Sequence, residues 1–223
     1  MKPASCLATR CFCEGPYHGS LVLQPMNTYS ALSMLLVGLW FWQVARRANW
    51  PGFFNHVYLG SLVLLFGGTA LLHATLTEMG QWTDGLGLYA VILFVLCYFI
   101  ALRLGWQKKT FALVYLFALA ASGIFAWNFM QFRVALFGIL VTISFLTILA
   151  LRGAGVGFRK RDLACAGGFF LCGLVFQILD RKLILCSRYS FWQGHALWHV
   201  LSAVATYFLG TLMLHARYEP KGA

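Results

Sequence analysis

Seven long stretches of the chain contain no aspartate, glutamate, lysine or arginine. They comprise residues 27–45, 53–77, 85–102, 110–132, 134–151, 163–179 and 189–216, numbered here as spans 1 to 7. Each is close to or above the length of about 20 residues that crosses a bilayer, with some tilt. The stretches do not alternate as barrel strands do, and lipid offers no partner for backbone polar groups. The pattern therefore predicts an all-α bundle of seven transmembrane helices over residues 27–216.

The composition excludes several other classes of protein. Hydrophobic residues make up 61% of the 223 positions and charged residues 10%, whereas about a quarter of a soluble domain is charged. A soluble enzyme, a disordered tail and a disulfide-stapled mini-protein are therefore ruled out. Two short pieces are left outside the bundle, an extramembrane N-terminal segment (1–26) and a tail (217–223). The N-terminal segment lacks the apolar core of a signal peptide, so we expect it to stay on the protein.

The basic loops predict how the bundle is oriented. The side that holds loops 1–2, 3–4 and 5–6 and the C-terminus carries eleven lysines and arginines, and the opposite side carries six. The positive-inside rule then puts the N-terminus outside and the C-terminus in the cytoplasm. The net charge of +11 is explained by membrane flanks that face anionic lipid. No interleaved basic and aromatic patch outside the spans favours nucleic acid.

Three histidines are predicted to lie at one depth, near the outer side. His73 is close to the outer end of span 2, and His195 and His199 are in the first turns of span 7. Their spacing of i, i+4 puts His195 and His199 on one helical face, a common way to present two nitrogens to one metal ion. With His73 as a third ligand, the set matches catalytic zinc, which keeps a fourth position open. The alternative is a pair of interfacial histidines that hydrogen-bond to neighbours.

Two polar residues near His73 are candidates for the chemistry. Asp84 opens span 3 and could take a proton from a metal-activated water, but it could equally be the N-cap of that span. Thr69 stands one turn before His73 on the same face and could donate a hydrogen bond to a carbonyl oxygen or to the water. A threonine in a membrane helix more often bonds to its own backbone.

Polar residues also gather where the chain enters span 1. Asn27 and Ser30, with Glu14 in the segment before them, are candidates for hydrogen bonds to the metal ligands. Asn27 and Ser30 could equally cap the helix. At the other end of the outer surface, Asp180 closes span 6 and is expected in an interfacial ion pair with Arg181 or Lys182.

Four cysteines fall on the predicted outer side, where disulfides persist. They are Cys6, Cys11, Cys13 and Cys186. A bond between the N-terminal segment and Cys186 is expected, but the spacing alone does not choose its partner.

Three blocks of residues together resemble the alkaline ceramidase family, within a superfamily of seven-span membrane hydrolases that also contains adiponectin-receptor-like proteins. The first block is Cys13-Glu14 followed by Pro25-Met26-Asn27-Thr28-Tyr29-Ser30. The second is Thr69-Ala70-Leu71-Leu72-His73 followed by Asp84, where the family has serine in place of threonine. The third is His195-Ala196-Leu197-Trp198-His199, like the family's H-x-x-W-H. The blocks cover nearly the whole chain in the family's order, and the short loops are more like those of bacterial members.

The resemblance implies roles for these residues. It implies a zinc ion on His73, His195 and His199, Asp84 as the base, and Thr69 in the role of the serine. It also implies that Cys13 pairs with Cys186. The acidic calcium site of eukaryotic members is retained only at Glu14, so the sequence does not support a calcium site.

The function implied is hydrolysis of the amide bond of ceramide or a ceramide-like lipid, which gives a sphingoid base and a fatty acid. Expected partners are the lipid substrate, which enters from the bilayer, and membrane lipids; no required protein partner is indicated. One alternative is a zinc-dependent lipid esterase or phospholipase of the same superfamily. Another is a seven-span receptor or transporter with a structural metal, for which the pairs Gly67-Gly68 and Gly167-Gly168 are the only hints, and these are better explained by close helix packing. The expected location is a bacterial inner membrane, or the ER or Golgi membrane in a eukaryote.

Overall fold

The computed structural model describes residues 3–4, 12–184 and 186–219. Its helices are α1 (Pro25–Ser30), α2 (Leu32–Arg47), α3 (Gly52–Thr75), α4 (Glu78–Leu104), α5 (Lys108–Asn128), α6 (Arg133–Gly153), α7 (Lys160–Arg181) and α8 (Gly194–Leu214). A 3₁₀ turn, Met130–Phe132, precedes α6. Cys6 and Cys11, and the last residues of the 217–223 tail, lie outside the described residues.

Within this part of the chain, seven helical segments are long and apolar enough to cross a membrane. Two of the spans contain a break: α1 and α2 form one segment, Pro25–Arg47, and the 3₁₀ turn continues into α6 as Met130–Gly153. The predicted all-α seven-span architecture is therefore confirmed. The orientation of the termini and the bounds of the extramembrane pieces stay predictions from the loop charges.

Helix α4 is the centre of the bundle. Of the most apolar 18 residues of α4, 67% are buried, whereas 11% are buried in the corresponding stretch of the span that contains α6. Helices α3, α5 and α6 pack against α4, while α7 and α8 pack against each other and α2 contacts both α3 and α8. The candidate site residues lie on α1, α3, α4, α7 and α8, where these two groups of helices meet.

Two glycines allow α3 and α4 to approach closely. A Cβ atom on Gly68 would lie 2.4 Å from the backbone oxygen of Thr83, and one on Gly87 would lie 2.4 Å from the Cα of Leu65. Any side chain at either position would force the two helices apart. The packing interpretation of the glycine pairs holds for Gly68 only, since a Cβ on Gly67, Gly167 or Gly168 would meet nothing within 4 Å.

The predicted start of span 3 is corrected by the structure. Helix α4 begins at Glu78 rather than at residue 85, and its N-cap is Thr77, whose side chain accepts the Gly80 N–H at 3.2 Å. The expectation that Asp84 caps this helix is therefore wrong. Asp84 bounds the uncharged stretch that predicts span 3, but in the structure this carboxylate accepts the Thr69 hydroxyl within the bundle and the helix continues past it.

Two short strands pair the loop before α7 with the residues after α8. Strand β1 (Val156–Gly157) pairs antiparallel with β2 (Arg217–Tyr218), with Val156 opposite Tyr218. The residues after α8 are thereby held against the loop that precedes α7. At the other end of the bundle, Pro3 forms a bridge with Thr77, which places the described N-terminal residues beside the end of α3.

Candidate metal centre and active site

Three buried imidazoles meet where α3 ends and α8 begins. His73 lies in the last turn of α3, and His195 and His199 lie in the first two turns of α8. Their exposed fractions are 1%, 5% and 2%. The Nε2 atoms of His73 and His195 are 3.1 Å apart, and the candidate ligand atoms of all three residues lie within 4.8 Å of one another. The residues expected to form a metal site are thus brought together.

Hydrogen bonds fix which nitrogen of His73 faces the cluster. The Gln24 side-chain nitrogen donates to the Glu14 carbonyl at 2.6 Å, so the Gln24 side-chain oxygen is turned toward His73 Nδ1, 2.8 Å away. An amide oxygen only accepts, so His73 Nδ1 carries the proton and Nε2 carries the lone pair. His195 has the same arrangement, because its Nδ1 contacts the Gln177 side-chain oxygen.

The third histidine is oriented by α1. His199 Nδ1 lies 3.1 Å from the backbone oxygen of Asn27 and 2.8 Å from Ser30 Oγ. The Ser30 hydroxyl also donates to the Asn27 oxygen, at 3.0 Å. A carbonyl oxygen accepts only, so His199 Nδ1 is the donor and Nε2 again carries the lone pair. Asn27 and Ser30 therefore contact a candidate ligand, Asn27 through its backbone.

These contacts form a donor set that fits a metal ion. Ligand histidines usually donate their second ring N–H to an oxygen, which fixes the tautomer and the ring orientation. All three imidazoles have this feature, and each has one lone pair left for a metal. Without an ion, three neutral, buried nitrogen acceptors would face one another, which is unfavourable. The site could hold a divalent metal ion with three nitrogen ligands.

A threonine–aspartate pair lies one turn deeper along α3. Thr69 Oγ1 donates a hydrogen bond of 2.6 Å to Asp84 Oδ1 across the α3–α4 interface. Thr69 is 1% exposed and precedes His73 by one helical turn, on the same face. The expected backbone bond of Thr69 is replaced by this contact with Asp84. The two candidates for the chemistry are thus joined to each other and lie below the histidine cluster.

Comparison with known proteins identifies the family of this chain. A family model described as Ceramidase matches residues 6–223. The chain belongs to the ceramidase family. An alkaline ceramidase of Arabidopsis thaliana is 25% identical over 222 residues, which cover 94% of this chain and 84% of the relative. The resemblance derived from the three sequence blocks is therefore confirmed.

In this ceramidase-family chain, Glu14 caps the first helix. Its two carboxylate oxygens accept the backbone N–H groups of Met26 (2.8 Å) and Asn27 (2.9 Å), in the first turn of α1. Asn27 and Ser30 lie within α1 and do not cap it, so that interpretation is wrong. Gln24 occupies the N-cap position, but its side chain does not bind the first turn; the Glu14 carboxylate does so instead. Burial raises the pKa of the Glu14 carboxyl, and the bonds from Asn27 and Met26 offset part of this shift.

The disulfide implied by the family resemblance is present. Cys13 and Cys186 are bonded to each other. Next to them, Asp180 is buried, and its Oδ2 accepts the Cys13 N–H at 2.9 Å while its Oδ1 accepts the His195 N–H at 3.1 Å. The ion pairs of the described residues do not include the expected pair of Asp180 with Arg181 or Lys182, and these two backbone N–H groups are partners that the sequence did not indicate. This carboxylate joins the disulfide-bonded segment to the helix that carries two of the histidines.

Sequence reasoning gave no role in the site to Gln24 or Gln177. Both contact the Nδ1 atom of a histidine in the cluster. A signal was available for Gln177, because an amide in the middle of an apolar span is costly and needs a partner. Gln24 precedes the first span and gave no such signal.

Proposed function

We propose that this ceramidase-family protein is a zinc-dependent hydrolase of the amide bond of ceramide or a ceramide-like lipid. The observation that carries the proposal is the buried cluster of His73, His195 and His199, with the Thr69–Asp84 pair one turn away along α3. Membership of the ceramidase family supports hydrolysis of an amide, and the plant relative is itself named an alkaline ceramidase.

Zinc is proposed because of the donor set. Three histidine nitrogens with one position left open are typical of catalytic zinc, whereas structural zinc sites usually have four protein ligands. When bound, the ion would supply an acidified water and polarise the amide carbonyl. Gln24, Gln177 and the Asn27 backbone oxygen would hold the three rings in place by accepting their Nδ1 protons.

Proton transfer is assigned to Asp84. Amide hydrolysis requires a base that takes a proton from the attacking water and returns it to the leaving nitrogen. Asp84 Oδ1 is occupied by the Thr69 hydroxyl at 2.6 Å, which leaves Oδ2 to exchange the proton. Thr69 would thus fix the carboxylate in one orientation, in the position where the family has a serine.

The surroundings favour a lipid as the substrate. The polar groups lie at the ends of helices that are otherwise apolar over lengths sufficient to span a membrane. A lipid with two hydrocarbon chains can keep the chains in the bilayer while its amide reaches the histidine cluster. A water-soluble amide has no hydrocarbon chains to keep in the bilayer, so a site in this position does not favour its binding.

The test combines metal analysis with product analysis. Purified protein is assayed for zinc, then given ceramide and a phospholipid side by side, and the products are identified by mass spectrometry. We expect one zinc per chain, and sphingoid base and fatty acid from ceramide only. His73→Ala, His195→Ala and His199→Ala should each reduce both occupancy and turnover, while His18→Ala, at an exposed position, should leave both unchanged. Full zinc and full turnover in His195→Ala would refute the site, and cleavage of the phospholipid alone would refute the substrate.

A further inference from the structure

Phe12 lies against two of the three histidines. Its ring centroid is 4.7 Å from that of His73 and 4.1 Å from that of His195. The side chain is only 6% exposed and forms a small apolar cluster with Ala4 and Leu72. Leu72 is the residue before His73, so the phenyl ring covers the histidine cluster at the C-terminal end of α3.

The backbone next to Phe12 is fixed from several directions. Cys13 is bonded to Cys186, and its N–H is held by Asp180 Oδ2 at 2.9 Å. The following residue, Glu14, binds the first turn of α1 through both carboxylate oxygens. The ring therefore cannot leave the histidines by a swing of the N-terminal segment unless these contacts break.

Phe12 and the Thr69–Asp84 pair lie on opposite sides of the cluster along α3. Thr69 is one turn before His73, which places it about 6 Å deeper along the helix axis. Phe12 instead packs where α3 ends, close to Ala4, whose N–H donates to the Leu76 carbonyl at 2.8 Å. One side of the cluster is therefore covered by an aromatic ring and the other is bordered by polar groups.

We infer that Phe12 closes the histidine cluster toward the N-terminal segment. The ring excludes water and small solutes from that side and slows the loss of the bound metal ion. The inference rests on the proposed function in one respect, namely that the three histidines hold a metal ion. It does not depend on which lipid is cleaved.

The rate of zinc release measures this role directly. Zinc-loaded full-length protein in detergent is mixed with an excess of a coloured zinc chelator, well below the melting temperature of each variant. Removing a buried aromatic ring from the cluster should accelerate release about tenfold in Phe12→Ala. Phe12→Leu keeps part of the apolar bulk and should release zinc at an intermediate rate.

A matched control separates closure of the site from general stability. Phe158 is a half-buried phenylalanine that packs on Phe99 and Arg152, beside the β1–β2 pair and away from the histidines. Phe158→Ala should lower the melting temperature but release zinc at the wild-type rate. If Phe12 contributed only to folding, both alanine variants would lower the melting temperature and neither would change release.

The disulfide allows a second test of the inference, because it holds the segment that carries Phe12. Cys186→Ser should also accelerate release, and the double variant Phe12→Ala/Cys186→Ser should release zinc no faster than Phe12→Ala alone, since both changes remove the same cover. If zinc-loaded, folded Phe12→Ala and Phe12→Leu proteins released zinc at the wild-type rate, the inference would be overturned and the proposed function would stay intact. A wild-type protein that binds no zinc would overturn both together, so the two failures are distinguishable.

Discussion

Thr69 and Asp84 are joined by a hydrogen bond of 2.6 Å between α3 and α4. This contact, together with the start of α4 at Glu78, removes the interpretation of Asp84 as a helix cap. The Thr69 hydroxyl occupies one carboxylate oxygen, and the carboxylate is thereby fixed beside the helix that carries His73. A residue in this position can serve as a base for chemistry at the histidine cluster.

Replacement of Asp84 by asparagine tests that role. Asp84→Asn keeps the side-chain shape and can still accept the Thr69 hydroxyl, but it cannot take up a proton at neutral pH. We expect normal folding, most of the zinc, and a loss of turnover of at least about a hundredfold. Turnover, zinc content and melting temperature should be measured on the same preparation. Near-normal turnover in a zinc-loaded variant would exclude Asp84 as the base. The next carboxylate to test would be Glu78, the first residue of α4.

Replacement of Thr69 tests how the carboxylate is oriented. Thr69→Val is nearly isosteric but lacks the hydroxyl, so we expect turnover to fall about ten- to a hundredfold through misplacement of Asp84. Thr69→Ser keeps the donor and should retain most of the activity. Thr83→Val is the matched control, because the Thr83 hydroxyl bonds only to its own helix, at Met79 and Gly80 in the described residues. Equal effects of Thr69→Val and Thr83→Val on turnover would refute the positioning role.

The two glutamines that contact the candidate ligand histidines are expected to tune metal affinity. Gln24→Leu and Gln177→Leu remove the acceptors for the Nδ1 protons of His73 and His195, so each should weaken zinc binding about ten- to a hundredfold. A competition titration against a chelator of known affinity measures this change. Gln43→Leu, at an exposed position on α2, should bind zinc like the wild type. Unchanged affinity in Gln177→Leu would show that this contact does not orient His195.

The disulfide between Cys13 and Cys186 is expected to stabilise the end of the site that it borders. Mass spectrometry without reduction should recover a peptide pair that contains Cys13 and Cys186. Cys13→Ser should lower the melting temperature, since a typical disulfide contributes about 2–4 kcal/mol. Cys172→Ser, at an exposed free cysteine of α7, should not. A free thiol at Cys186 in protein from oxidising conditions would contradict both the pairing and the predicted orientation.

The sequence by itself determined the architecture and the ligand candidates. Lipid leaves the backbone no partners other than its own, so uncharged stretches of sufficient length can only be spanning helices. The i, i+4 spacing of His195 and His199 is a local property of one helix, and so is the turn that separates Thr69 from His73. Both relationships could therefore be derived before any helix was packed against another.

The tertiary structure decided which groups complete the site. The contacts of Gln24 with His73, of Asp180 with Cys13 and His195, and of Phe12 with two imidazoles join segments that are distant in the chain. Such contacts depend on the rotation and the depth of each helix, and hydrophobic periodicity does not encode either quantity for spans that are apolar on every side. For the same reason Asp84 marked a helix start in the sequence but lies inside α4 in the fold. The close approach of α3 at Gly68 brings the Thr69 hydroxyl to this half-buried carboxylate, and the hydrogen bond makes its place in an apolar helix tolerable.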